Sequence, residues 1–308
     1  MTRGQEDAMA ISDNLKGALL MMASMAAFTI NDMFMKMMTG QVPVVQLIFL
    51  RGALTTTAVS LLAWRMGAFS GRIAPRDRVF VALRTGAEIC ATYFFLTALS
   101  HMPLANITAI LQALPLVLAL AAALFLGEGF GWKRLVAIVI GFIGVMLIVR
   151  PGAEGFTIYS IYGLIAVCFV TVRDLSTRRL SRETPSMLVT WVTTVAITLV
   201  YGVVSTGVDW APISGREALL LTLTSGSIFC GYLFSIMVMR VGEISFTAPF
   251  RYTGLLWALA LGWFAFGEWP APLTLLGAGI VAASGVFTIY REARTGRRTP
   301  LQYGPRIR

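Results

Sequence analysis

Charge is what this chain has least of. Only 13% of its 308 residues are Asp, Glu, Lys or Arg, against 57% that are hydrophobic, about half the charged share of an average soluble domain. That excludes a water-soluble globule and indicates a chain embedded in a bilayer. Histidine occurs once, at His101, and cysteine three times, at Cys90, Cys168 and Cys230. A single histidine without clustered carboxylates or thiolates argues against a metal site. The cysteines lie in apolar runs with neither metal-motif spacing nor a small extracellular framework around them, so they read as small buried hydrophobes. Walker loops, GxSxG elbows and glycine fingerprints in a strand-turn-helix setting are missing, as is any soluble stretch long enough for an ATPase domain. No metal, no cofactor and no enzymatic activity are expected.

What the chain has is apolar runs. A spanning helix needs about 20 mostly apolar residues, and ten such runs are present: Gly17 to Met37, Pro43 to Trp64, Val79 to Leu99, Pro103 to Leu126 and Trp132 to Val149, then Thr157 to Thr177, Ser186 to Ser205, Glu217 to Met239, Ile244 to Phe266 and Pro272 to Tyr290. They are uniformly apolar rather than alternating, which predicts helices and not barrel strands. The first run is too long for a signal-peptide core, so no cleavage is expected. With the N-terminus inside, 18 Lys and Arg fall on the cytoplasmic side and three, Lys36, Arg150 and Arg216, outside. This bias predicts a multi-pass inner-membrane protein with both termini in the cytoplasm. The net charge of +10 is explained by this orientation, and no nucleic-acid partner is expected. The tail from Arg291 to Arg308 reads as a solvated basic end.

The sequence repeats itself. At an offset of 140, Gly86 falls on Gly226, Cys90 on Cys230, Phe94 on Phe234 and Gly127-Glu128 on Gly267-Glu268. At an offset of 142, Asp32 falls on Asp174, Lys36 on Arg178 and Pro43 on Pro185. Five runs per half is an odd number, so the second copy is inverted relative to the first. The expected organisation is an all-α membrane protein of ten helices in two inverted five-helix repeats, residues 1–150 and 151–290, with residues 291–308 as the tail.

Pro103-Leu-Ala-Asn-Ile-Thr-Ala, Leu114-Pro-Leu, Phe125-Leu-Gly-Glu128 and Gly144-Val145, answered by Ala248-Pro-Phe-Arg-Tyr252, Phe266-Gly-Glu268 and Gly285-Val286, resemble the repeat module of the drug/metabolite transporter superfamily, EamA type. The Pro-Phe-Arg-Tyr segment is most similar to the subgroup holding the S-adenosylmethionine and riboflavin uptake carriers. The resemblance implies alternating access of one central cavity, with the fifth and tenth helices packed outside the cavity-lining eight.

Ionisable groups well inside apolar runs are few: Asp32, Arg51, Arg84, Glu88, Arg173, Asp174 and Arg251. A charge at a helix centre costs roughly 2.5 to 3.5 kcal/mol on insertion scales, so each is expected to be paired or to face an aqueous cavity. Arg84 and Glu88 share one face of the third helix at i,i+4. They read either as a self-neutralising pair or as cavity groups, with Glu88 binding solute or exchanging a proton and Tyr93 beside them. Arg251, two residues after Pro249, is read as substrate-facing, with Tyr252 and Trp257 as aromatic walls. Gln112 aligns with Tyr252; it and Asn106 serve as lower-ranked ligands or as interhelical hydrogen bonds. Asp32 and Asp174 occupy equivalent places at opposite mouths and are read as gating or coupling acids, although Asp174 and Arg173 also fit helix-end charges reaching the interface. Arg51 is placed opposite Asp32. Glu128 and Glu268 are read as structural, bonding helix-end backbone groups.

These features point to a secondary-active carrier of a small organic metabolite, with riboflavin uptake first and S-adenosylmethionine second. Export of amino acids or related metabolites is the directional alternative, and a membrane-embedded enzyme a distant one. Proton coupling and a homodimer are left open.

Overall fold

The computed structural model describes residues 3–126, 132–149, 157–181, 183–241 and 244–294. Among them every regular element is a helix. The helices are α1 (Arg3–Thr39), α2 (Val44–Arg65), α3 (Arg78–His101), α4 (Leu104–Leu111), α5 (Leu114–Leu126), α6 (Trp132–Val149), α7 (Ile158–Arg178), α8 (Ser186–Ser205), α9 (Gly215–Val241), α10 (Ile244–Thr247), α11 (Thr253–Phe266) and α12 (Pro272–Arg294). Seven stretches among the described residues are long and apolar enough to cross a membrane, with Leu135–Val149 and Pro272–Thr288 as shorter apolar helices. Glu128, the junction at Pro151-Gly152 and the tail beyond Arg294 lie outside the described residues.

Sequence sets where the helices begin. Pro43, Pro103 and Pro185 stand at the N-caps of α2, α4 and α8, where a missing N–H costs nothing. Ser214 and Glu217 open α9 with a capping box, in which the Ser214 N–H donates to Glu217 Oε2 at 3.0 Å. α11 stops at Gly267, whose φ of +64° is open to glycine at little cost.

Two of the expected spans are broken. The run from Pro103 to Leu126 splits at Gln112-Ala113 into α4 and α5, just before Pro115. The run from Ile244 to Phe266 splits into α10, a 3₁₀ turn over Ala248–Tyr252 and α11. In each case proline removes a backbone donor and crowds the preceding turn. An apolar run reads as continuous even where its backbone is interrupted.

α1 packs chiefly on α9, α3 on α7, α2 on α8 and α6 on α12, while α4 lies against α11 and α7. The largest fully buried side chains, among them Met35, Met38, Leu47, Leu99, Leu104 and Ile107, come from the end of α1, the start of α2, the end of α3 and the start of α4. One end of the bundle is therefore sealed by apolar packing.

That end also carries an ion pair. Lys36 Nζ stands 2.5 Å from Glu268 Oε1 and donates to the Met102 carbonyl at 2.6 Å. Glu268 Oε2 accepts from the Leu104 N–H at 2.9 Å, so Glu268 does bond a helix-end backbone group. At the opposite end Asp77, buried before α3, accepts from the Ser181 N–H at 3.1 Å and the Thr184 hydroxyl at 2.6 Å, tying it to the α7–α8 joint. Cys168 and Cys230 differ from expectation in being exposed on the helix surfaces. A lipid-facing position selects the same apolar neighbours as a core position, so sequence does not separate them.

Candidate functional site

Four helices, α1, α2, α3 and α7, bring charged groups to one place. On α3, Glu88 Oε2 accepts from Arg173 Nη1 of α7 at 2.9 Å, and Arg173 Nε donates to Asp174 Oδ1 at 2.8 Å. The self-neutralising Arg84–Glu88 pair is not what forms. Arg84 turns instead to α7 and α8, donating from Nε to the Thr177 hydroxyl at 3.0 Å and from Nη1 to the Thr193 hydroxyl at 2.6 Å. Although i,i+4 spacing puts Arg84 and Glu88 on one face, Arg173 offers Glu88 a second carboxylate-bound fork from the facing helix, and the threonines offer Arg84 two oxygens.

Asp32 and Arg51 face each other through Asn31. The Asn31 amide donates to Asp32 Oδ1 at 2.9 Å, and its oxygen takes a long 3.5 Å contact from Arg51 Nη1. Thr224 of α9 donates to the Asn31 carbonyl at 3.0 Å. Asp32 and Arg51 act on each other electrostatically without a close ion pair among the described residues.

Tyr232 of α9 joins the two groups. Its hydroxyl lies in the field of Glu88, Arg173, Arg51 and Arg84, and Arg51 lies in that of Asp32, Glu88 and Tyr201. Tyr232 is 39% exposed, with charges from α2, α3 and α7 around its hydroxyl. Tyr201 is anchored by donating to the Ile89 carbonyl at 2.7 Å. Tyr93 is exposed and meets Phe94 edge-on at 5.6 Å. Phe94 stacks on Phe169 of α7 at 5.8 Å, so aromatic rings bridge α3 and α7.

The remaining expected residues lie elsewhere. Gln112, at the break between α4 and α5, donates from Nε2 to the Arg251 carbonyl at 3.4 Å, so the two broken helices meet at their interruptions. Arg251 is exposed and has no ion pair among the described residues. Tyr252 is buried, its hydroxyl unpartnered among the described residues and pressed towards Gly285 of α12. Trp257 is exposed on α11. Arg173 carries less weight in the sequence than in the structure, and the sequence does not single out Tyr232. Arg173 looked like an interfacial charge because it is five residues from the end of its helix, and only its adjacency to Asp174 hinted at pairing. Nothing local distinguishes Tyr232 from a packing aromatic.

A bundle of apolar helices with interrupted segments and a charged cluster among them is an architecture that polytopic membrane transporters share. The family model described as EamA-like transporter family matches residues 15–150. The S-adenosylmethionine uptake transporter of Rickettsia felis is 30% identical over 202 residues, 65% of this chain and 68% of that protein. The chain belongs to the EamA-like transporter family, within the drug/metabolite transporter superfamily. The pseudopaline exporter of Pseudomonas aeruginosa PAO1 is 27% identical over 287 residues, 89% of this chain and 96% of the exporter. The riboflavin transporter of Vibrio cholerae is 28% identical over 219 residues, 70% of this chain and 73% of that protein. A crystal structure superposes with a TM-score of 0.61 at 18% identity, covering 92% of this chain and 98% of its own, which speaks for the fold alone. Family and relatives are transporters of small molecules and not enzymes.

Proposed function

We propose that the chain is a secondary-active inner-membrane carrier that crosses the bilayer ten times as two inverted five-helix repeats, 1–150 and 151–290, with cytoplasmic termini. The helix pairing supports this. Exchanging the halves turns the α1–α9 contact into the α7–α3 contact and leaves α2–α8 and α6–α12 as pairs of counterparts. Interrupted helices at matching positions of the two halves are the usual mark of a transporter's substrate region. The breaks at Gln112 and Ala248–Tyr252 act as hinges, and the cluster on Tyr232 is the solute site, with Asp32 and Glu88 as the acids able to carry a coupled proton.

The observation that carries the reading is that Asp32, Arg51, Arg84, Glu88, Arg173 and Asp174 are linked by hydrogen bonds, ion pairs and mutual fields around Tyr232. Charges at this depth are retained where they meet a polar solute or ion. The solute is a small organic vitamin or cofactor brought into the cell. Riboflavin suits the aromatic rings that bridge α3 and α7 but offers the six charged groups no charge in return. S-adenosylmethionine fits both features and becomes the preferred candidate. Export of an amino-acid-derived metabolite is the second reading, favoured by the near full-length match to an exporter. Purified protein in liposomes tests the carrier directly. Uptake of at least one of labelled S-adenosylmethionine, riboflavin and amino acids, with or without a proton gradient, is expected; no movement of any of them counts against it.

A further inference from the structure

We infer that the cluster is a receptor for an α-amino-acid headgroup, with Arg84 taking the carboxylate and the free edge of the Glu88–Arg173–Asp174 group taking the ammonium. The inference rests on the carrier reading and deepens it. Its basis is an imbalance hidden inside a balanced site. Three acids and three arginines cancel in total, but they do not cancel locally.

Glu88 and Asp174 both spend their charge on one arginine, Arg173, so this group carries one surplus negative charge. Glu88 Oε1 and Asp174 Oδ2 accept no hydrogen bond among the described residues. Asp32 and Arg51 offset each other through Asn31. Among the described residues, Arg84 is left with one positive charge answered only by the neutral hydroxyls of Thr177 and Thr193. Thr177 and Thr193 are themselves held, donating to the Arg173 and Val189 carbonyls at 2.7 and 2.9 Å. Two of the five N–H donors of a guanidinium are used in fixing its orientation, and three remain for a ligand. A planar fork so held is the geometry that grips a carboxylate through two parallel bonds.

The two poles stand one helical turn apart, about 6 Å between the Cα atoms of Arg84 and Glu88. An α-amino acid, with its ammonium and carboxylate on the same carbon, answers both at once. A phosphate would bring a second negative charge with no second free cation among these groups.

The test measures binding to the purified full-length protein, by ligand-induced thermal stabilisation, of S-adenosylmethionine and of decarboxylated S-adenosylmethionine, which keeps the amine but lacks the carboxylate. The wild type is expected to bind the intact compound at least about tenfold more tightly, as loss of a charge-assisted bidentate contact implies. In Arg84→Gln the two are expected to bind within about twofold of each other. If Arg84→Gln does not fold, Thr177→Val keeps the charge, removes one anchor and must shrink the ratio. Equal binding of both compounds by the wild type, or an unchanged ratio in the variants, overturns the inference. Riboflavin uptake without binding of either compound overturns it too and leaves the carrier standing. Binding with carboxylate discrimination but no uptake of any solute keeps the headgroup site and sinks the carrier.

Discussion

Glu88 on α3 and Arg173 on α7 stand 2.9 Å apart, with side chains 17% and 26% exposed, and this pair joins the two helices at the depth where the other charges gather. Arg173→Ala would leave Glu88 and Asp174 as neighbouring acids without their shared cation. Breaking a fully buried pair costs about 3–5 kcal/mol; the residual exposure here lowers the expectation to about 1–3 kcal/mol. The double variant Glu88→Gln/Arg173→Gln should recover part of that loss, because no unpaired charge remains on either. Thermal unfolding of the purified variants checks both outcomes, and a double variant no more stable than Arg173→Ala contradicts the pairing.

At the sealed end, Glu268 answers two different groups, the Lys36 ammonium and the Leu104 N–H. Glu268→Gln keeps an oxygen for the backbone donor but loses the charge, whereas Glu268→Ala loses both. Stability should therefore fall in the order wild type, Gln, Ala, with about 1–2 kcal/mol between the last two for the orphaned N–H. Equal stability of Gln and Ala would show that the backbone contact contributes nothing.

The α6–α12 contact is made backbone to backbone. A Cβ on Gly277 would stand 2.5 Å from the Gly144 carbonyl oxygen, and one on Gly144 would stand 2.8 Å from that of Gly277. Small residues at such crossings let helices approach in lipid, where no hydrophobic force holds them together. Gly277→Ala must push the helices apart, at about 1–3 kcal/mol. Gly279→Ala, with nothing within 4 Å of its added methyl, should be neutral by the same unfolding measurement.

Tyr252 was expected to wall the solute site, and the structure buries it against α12 with its hydroxyl unpartnered among the described residues. Removing a buried polar atom that has no partner relieves its desolvation cost, about 1–3 kcal/mol at most. Tyr252→Phe should thus unfold at the same temperature or higher and transport at the wild-type rate. A clear drop in transport would return Tyr252 to the solute path.

Helical class and membrane character were legible from the apolar runs, since length and uniformity suffice for them. The breaks were legible only as prolines. Pro115 and Pro249 mark them, but whether a proline kinks or interrupts a helix depends on neighbours distant in sequence. Asp32, Arg51, Arg84, Glu88 and Asp174 stood out because charge in an apolar run is costly wherever it lies. Their partners did not stand out. The nearest opposite charge in sequence, Arg84 for Glu88, lost to Arg173, 85 positions away. Tyr232 is identified only by the charges folded around it.

Labelled S-adenosylmethionine and riboflavin uptake into proteoliposomes by the wild type, Glu88→Gln and Arg251→Ala addresses the central claim, that solute passes through the charged cluster and not along the exposed Arg251 face. The account predicts accumulation of at least one solute by the wild type, a loss of about tenfold or more in Glu88→Gln, and a rate within about twofold of wild type in Arg251→Ala. Wild-type uptake by folded Glu88→Gln, with uptake lost in Arg251→Ala, would contradict it.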